Sequence, residues 1–402
     1  MPKIRIKERD LTTNPLVGST TNDILIVTSG ILEPDEAPRL ITASDLTDSE
    51  STEKGFIEDV LNLGGRVVVA DKWQDALDYC GDRNQYDIKF ILAKEDGDSK
   101  VSGDEDTTKK ELQVALEITE KRKDCAVIYT KTTTEYTTDE RKWLSANVSY
   151  AASDAFFSDE QKKPVGKYVL TFYAPDETTG GLHTEDGTEL DAGKGYILAF
   201  LNNIAQGRAE WLAVAGSTRG VIPNGYVVDG FLKEEKIDNM QLRTYGAEAS
   251  SPAIAINPIV NMNPFGTRIW GNRTCLPNNA VSDTIDIAGG NNTDQLVASS
   301  FANIRIAICD IKKAIYKAAR QYQFEQNTDV LWVNFTSAVN SLLEEMKSSY
   351  GIVGYRWKRD SANEQRGELR AILQIQPIEA VEDFTITCEL KDSLDDNVQV
   401  AE

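Results

Sequence analysis

A multidomain chain of mixed class, an α/β region followed by an α+β region, is predicted by three features of the sequence. Short apolar runs alternate with helical spacings between residue 24 and about residue 256. Two long amphipathic stripes follow each other after Ser300, and the segments at both ends are polar and extended in character. Strands that alternate with helices imply a sheet covered by helices and partly parallel, whereas paired helices followed by strands imply a separate α+β unit. The 402 residues suffice for two or three domains, each with its own core.

In chain order, residues 1–23 read as an extended arm. Ile4 and Ile6 alternate with Lys3, Arg5 and Lys7, and Thr12, Thr13, Asn14, Pro15 and Gly18 then oppose regular structure. Ile24-Leu25-Ile26-Val27 is the first core strand. Residues 24–256 form the middle α/β domain, with buried strands expected at Gly65–Ala70, Ile88–Ala93, Cys125–Tyr129 and Tyr168–Tyr173. Phe56, Ile57, Val60 and Leu61 lie at helical spacing, as do Leu112, Ala115, Leu116 and Ile118. The acidic stretch Glu95–Lys110 and the Thr-, Gly- and Asp-rich stretch Asp176–Gly195 are expected to be solvated loops.

Residues 257–390 form the C-terminal domain. Phe301, Ile304, Ile308, Ile311, Ile315 and Tyr322 give one helical stripe, with Lys312, Lys313, Lys317 and Arg320 largely off it. A second helix starts near Thr328, whose hydroxyl suits an N-cap, with Asp329 at the positive end of the helix dipole. Trp332, Phe335, Val339, Leu342, Met346 and Tyr350 form its stripe, and Gly351 supplies the stop. Strands are expected at Gly354–Trp357, Glu368–Gln376 and Asp383–Leu390, before a C-terminal arm over 391–402.

Composition and motifs argue against most chemistry. A formal net charge of −21 disfavours a phosphate backbone and an anionic membrane surface alike. No segment is apolar over the length a bilayer requires, and the N-terminus lacks a signal-peptide core, so folding in a cytoplasm is expected. Cys80, Cys125, Cys275, Cys309 and Cys388 form no CxxC pair and read as buried free thiols. The one histidine, His183, reads as a surface-loop residue, which excludes multi-histidine zinc sites and leaves a catalytic triad without support. Gly187–Gly195 superficially resembles a phosphate loop but has five residues between its glycines, and Gly195 stands where Ser or Thr must hold magnesium. The stretch Asp96–Asp106 departs from a calcium loop at Lys100 and Val101. Glu344 and Glu345 diverge on a helix, so a solvated or partner-facing edge suits them better than a catalytic pair. No catalytic residue, cofactor or metal is expected.

Positive identification comes from an ordered series of motifs. Asn257-Pro258-Ile259-Val260-Asn261 precedes the box Trp270-Gly271-Asn272-Arg273-Thr274; the helix link Phe324-Glu325-Gln326-Asn327 and the segment Gln376-Pro377-Ile378-Glu379-Ala380-Val381-Glu382 follow. That series resembles the C-terminal region of contractile tail sheath proteins of bacteriophages and phage-tail-like particles, with Trp270, Gly271, Arg273, Thr274, Phe324, Glu325 and Asn327 as its marks. The segment Gly207–Gly216, with Trp211, is a looser match. Where Asn272 stands the family usually has a small residue, and the first long helix of the family has a more basic start than Ser300-Phe301-Ala302-Asn303. The length suits the compact form of the family.

The resemblance implies a sheath core domain of two long helices packed on a β-sheet, extended arms at both ends, and an outer α/β domain inserted between. It implies a non-enzymatic subunit that forms stacked six-fold rings around a tail tube. Contraction, triggered from a baseplate, then drives the tube through the target envelope. Partners would be the chain itself, the tube protein, and baseplate and tail terminator proteins. No nucleic acid or membrane insertion is expected, and the location would be a virion tail assembled in the host bacterial cytoplasm. Infectious phage and DNA-free particle both stay open.

The arms are expected to add strands to neighbouring subunits through Ile4, Arg5, Ile6 and Lys7 at one end and Val398 and Val400 at the other. The first ten residues carry a net +2 and residues 391–402 a net −3, which favours pairing between them. Glu344, Glu345 and Lys347 are the residues expected to face the tube, and Lys312, Lys313, Lys317 and Arg320 are expected to meet acidic surfaces of neighbours. The alternatives are another phage tail component, tube or baseplate, and, behind it, a cytoplasmic α/β enzyme with a helical C-terminal domain.

Overall fold

Runs rich in Val, Ile and Leu can be buried on both faces, and six of them lie side by side as parallel strands. A computed structural model describes residues 22–33, 36–47, 49–94, 98–100, 108–131, 165–174, 181–185, 187–228, 255–275, 298–359 and 369–380. The arms, with Ile4, Arg5, Ile6, Lys7, Val398 and Val400, lie outside the described residues, as do Cys388 and the strand expected at Asp383–Leu390.

The parallel strands are β1 (Asp23–Val27), β3 (Arg66–Ala70), β4 (Ile88–Lys94), β7 (Ala126–Lys131), β8 (Val169–Tyr173) and β11 (Asn257–Met262). Antiparallel β2 (Arg39–Ile41) and β12 (Gly266–Ile269) close the two edges, giving the order β12-β11-β8-β7-β4-β1-β3-β2. Residues 257–269 thus extend the middle sheet, pairing Asn257 with Phe172, so the sheet runs across the boundary drawn at 257.

Helices cover both faces. Helix α1 (Lys54–Asn62) and α4 (Ala192–Ala205) bury Phe56, Ile57, Val60, Tyr196, Ile197 and Phe200 on one. Helices α2 (Trp73–Tyr79) and α3 (Glu111–Arg122) bury Trp73, Leu77, Leu112 and Leu116 on the other. A short α5 (Gly216–Arg219) follows the Trp211 turn.

Two stretches expected to be loops carry structure. Within Glu95–Lys110, β5 (Asp98–Lys100) pairs antiparallel with β6 (Thr108–Lys110). Within Asp176–Gly195, β9 (Leu182–His183) pairs with β10 (Glu189–Leu190), and α4 has begun by Ala192. His183 is therefore a half-buried strand residue whose backbone exchanges hydrogen bonds with Val227 at 3.0 and 2.8 Å. Polar composition concealed the short ladders.

The two expected long helices are α6 (Ala302–Gln321) and α7 (Asp329–Ser348), and the hairpin β13 (Ile352–Arg359) with β14 (Ala371–Pro377) follows. The Thr328 hydroxyl accepts from the Leu331 amide at 3.2 Å, as its N-cap role requires. The second core joins Ile311, Ala314 and Ala318 of α6 to Phe335, Val339, Leu342 and Met346 of α7, with Trp211 and Ile352. Tyr350 leaves the expected stripe: it is exposed and takes the left-handed conformation, φ 62°. The amide of Gly351 then reaches back to the Met346 carbonyl at 2.7 Å and closes the helix. Gly351 matters for another reason: a Cβ there would stand 2.5 Å from Cδ1 of the buried Trp211 indole.

Candidate functional site

The motif box builds the joint between the sheet and α6. Asn257, fully buried at the start of β11, donates to the carbonyls of Thr171 (3.1 Å) and Arg273 (2.8 Å) and accepts from the Arg273 amide (2.7 Å). Gly271 lies so close that a Cβ would approach Asn257 to 2.7 Å, so a side chain there would break the clamp. The Arg273 guanidinium sits 4.3 Å from the Phe301 ring centre, and Thr274 donates its amide to the Ser300 carbonyl at 2.8 Å. Asn272, the departure from the family pattern, caps α6 from a distance. Its carbonyl accepts from the Ala302 amide (3.0 Å), and its side chain accepts from the Asn303 amide (3.2 Å) and donates to Asn303 Oδ1 (2.8 Å). Two departures, Asn272 and Asn303, are thus one hydrogen-bonded pair that satisfies first-turn amides.

From that joint α6 crosses the amino ends of β8, β7 and β4 in turn. Arg305 stacks 5.0 Å from the Tyr168 ring centre, Lys312 donates to the Lys123 carbonyl (3.1 Å) and Tyr168 hydroxyl (3.1 Å), and Asp310 meets Lys89 (3.1 Å). Lys89 also pairs with Glu210. One ammonium shared by two carboxylates holds its proton firmly, while burial leaves Asp310 undercompensated and pushes it up to about 6. Further along, Lys313 (2.8 Å) and Lys317 (2.7 Å) both grip Asp87, whose carboxyl is held well below its usual range by the two ammonium groups despite its burial. This corrects the expectation for the basic row of α6. Lys312, Lys313 and Lys317 are used within the subunit, because the helix lies against strand ends on its polar side as well.

The other marked residues lie on the far surface. Phe324 is 98% exposed with φ 73°, at the tight turn between α6 and α7. Asn327 and Asp329 hold Arg359 at the end of β13, at 2.8 and 3.0 Å. Glu344, Glu345 and Lys347 are exposed on α7, and Glu344 accepts from the Tyr355 hydroxyl of β13 at 2.7 Å. Each strand of the β13–β14 hairpin is paired on one side only among the described residues.

A sheet of this topology holds ligands, when it does, beyond the carboxyl ends of its strands where strand order reverses. A cleft of about 440 Å³ lies there, between β1 and β4. Lys94 and Lys194 each bridge Glu53 and Asp191, at 2.6 to 3.4 Å, so four charged side chains close on one another across it. Asp191 is lowered by both lysines, which outweigh its burial, and Lys94 is raised by both carboxylates. The square ties the start of α1, the end of β4 and the start of α4 together, and both lysines are engaged. Among the described residues no group of three or more His, Cys, Asp or Glu could hold a metal, and no helix is long and apolar enough to cross a membrane. Cys80, Cys125 and Cys275 are buried thiols whose burial pushes them up to about 12, 11 and 12.

The mostly parallel sheet, with charges paired across the cleft at its carboxyl ends, is joined to two long helices and a hairpin paired on one side only among the described residues. Residues 298–391 match the model of the phage tail sheath C-terminal domain. Among solved structures, the chain is similar to a PVC sheath complex of an extracellular contractile injection system in its contracted state (TM-score 0.64, 13% identity, 98% of each chain). It is also similar to a chain of the anti-feeding prophage baseplate, 6-fold symmetrised (0.58, 14%, 97% and 99%), and to the contracted helical sheath of that particle (0.58, 13%, 97% and 99%). A comparison with curated protein sequences finds no match. Residues 298–391 thus match a phage tail sheath C-terminal domain, and the fold of the chain is similar to that of contractile injection system sheath subunits.

Proposed function

We propose that this chain is the sheath subunit of a contractile phage tail or phage-tail-like injection particle, polymerised as stacked six-fold rings around a tube. The observation that carries this reading is the likeness over 98% of both chains to a sheath, together with the sheath domain match at 298–391. The inner layer is formed by α6, α7 and the β13–β14 hairpin of the C-terminal region, with Glu344, Glu345 and Lys347 toward the tube, and the outer layer by the sheet of 24–256 that residues 257–269 extend. The hairpin β13–β14 receives the arms of neighbours: Ile4, Arg5, Ile6 and Lys7 from one, Val398 and Val400 from another. Backbone hydrogen bonds at a sheet edge persist while rigid domains swivel, which suits a contractile lattice. Baseplate and tail terminator proteins bound the stack, which assembles in the cytoplasm of the host. Contraction is a rearrangement of interfaces, with no nucleotide, metal or covalent step.

Electron microscopy of the concentrated purified chain, alone and with its tube protein, tests the reading. Regular striated tubes are the expected outcome; a uniform monomer under both conditions would sink it.

A further inference from the structure

An arginine keeps its positive charge in any protein environment, so a buried one needs acceptors for its N–H groups and a counter-charge. Arg305 stands in the first turn of α6 at 0% exposure. Its Nε, Nη1 and Nη2 have no acceptor among the described residues. The other buried cations around it are paired: Lys89 with Glu210 and Asp310, Arg122 with Asp124, and Lys313 with Asp87. Arg305 has the ring of Tyr168 instead, with the ring centre 5.0 Å away.

The surroundings add to the excess of positive charge. Lys312 and Lys167 lie 5.3 and 5.6 Å from the centre of the same ring, so three cations share one aromatic side chain. The Lys312 ammonium is held below its ordinary value, by burial first and by the Arg305 charge as well. Neither acidic group beside Arg305 supplies the missing charge, because burial pushes the Tyr168 hydroxyl and the Cys309 thiol up and keeps both neutral. The nearby carboxylates are committed, Asp124 to Arg122 (3.1 Å) and Glu120 to Lys123 (3.9 Å). Buried water would accept the hydrogen bonds of the guanidinium but leave its charge uncompensated in a medium of low dielectric constant.

We propose that Arg305 holds a small monovalent anion of the chloride type inside the joint between α6 and the amino end of β8. One negative charge matches the one guanidinium that lacks a carboxylate. Complete burial favours such an ion over sulfate or phosphate, whose higher charge costs more to strip of water. The site belongs to the folded single chain, so it stands or falls independently of assembly into tubes.

Urea titration of the monomeric chain at constant pH and ionic strength, with sodium sulfate exchanged stepwise for sodium chloride, tests the site. Sulfate strengthens burial in general, so a gain with chloride runs against the ordinary salt effect. Relative to Arg305→Met, the folding equilibrium constant of the wild type should rise about tenfold when chloride reaches ten times its dissociation constant. Arg320→Met, which alters an exposed arginine of the same helix, should keep the wild-type rise. Equal responses of wild type and Arg305→Met would overturn the site and assign the guanidinium to buried water. Loss of the rise in Arg320→Met as well would also overturn it, as a surface effect. Should Arg305→Met fail to fold, Lys312→Met takes its place: removal of the neighbouring charge should weaken the apparent chloride affinity severalfold, and an unchanged affinity would overturn the proposal.

Discussion

Lys89, Glu210 and Asp310 show what single residues contribute to the joint between sheet and helix. Lys89 is 1% exposed at the amino end of β4, so its charge is tolerated only because two carboxylates reach it. The second carboxylate gains less than the first, and Asp310 stands at about 6 in place of 3.8. The folded state therefore takes up a proton more readily than the unfolded chain between those values. Its contribution to stability rises as pH falls through 6, by about 1 kcal/mol between pH 7 and pH 5. Asp310→Asn should remove that rise, giving a flatter melting temperature against pH over the same window, with a folded protein at pH 7. An unchanged slope in the variant would show that Asp310 does not titrate there.

At the scale of elements, the end of α7 depends on two neighbouring residues with different tasks. Tyr350 supplies the left-handed turn, at a backbone cost that glycine would not incur, and its ring is solvent-exposed. Gly351 supplies room for Trp211, whose indole N–H approaches the Ser349 carbonyl at 3.4 Å and anchors α7 to the α4–α5 connection. Gly351→Ala should thus cost about 1–3 kcal/mol by overpacking. Tyr350→Gly should leave stability within about 1 kcal/mol, since relief of strain offsets added freedom in the unfolded chain. Denaturant titration of the two variants separates the tasks, and a larger loss for Tyr350→Gly would reverse the assignment.

The whole molecule divides its charges between internal and external work. The row Lys312, Lys313 and Lys317 fixes α6 to the strand ends, and the Glu53–Lys94–Asp191–Lys194 square ties α1, β4 and α4 together at the opposite end of the sheet. On the proposed function, each subunit would move as a rigid body while its neighbours stay linked through strand addition at β13–β14. Deleting residues 1–16, or 391–402, should leave a folded chain that no longer polymerises. Tubes of normal length from either truncation would remove that arm from the mechanism. Salt should shift the ease of assembly and contraction, because surface charges at neighbouring interfaces are screened within about 10 Å at 0.1 M.

Much of the fold was legible because period and burial coincide. Strands β1, β3, β4, β7 and β8 are apolar runs buried on both faces, and α7 has Phe335, Val339, Leu342 and Met346 inside with Glu344, Glu345 and Lys347 outside. The stripe of α6 was legible as a helix, but not its environment. A stripe says which side is most apolar, and only the approach of strand ends decides that Arg305, Asp310 and Lys313 are buried too. Helix α4 escaped notice for the converse reason: Tyr196–Leu201 is buried without interruption, so no amphipathic period marks it, and its Ala-Gly start reads as loop. The motif box named its residues without naming their task. Sequence alone determined the main strands and the two long helices, the acidic net charge and the sheath resemblance, since these follow from local pattern and composition. Tertiary structure alone decided that Asn257 clasps Arg273, that Asn272 caps a helix thirty residues onward, and that Lys313 and Lys317 of α6 meet Asp87. Those facts depend on which distant segments become neighbours, and no local pattern encodes that.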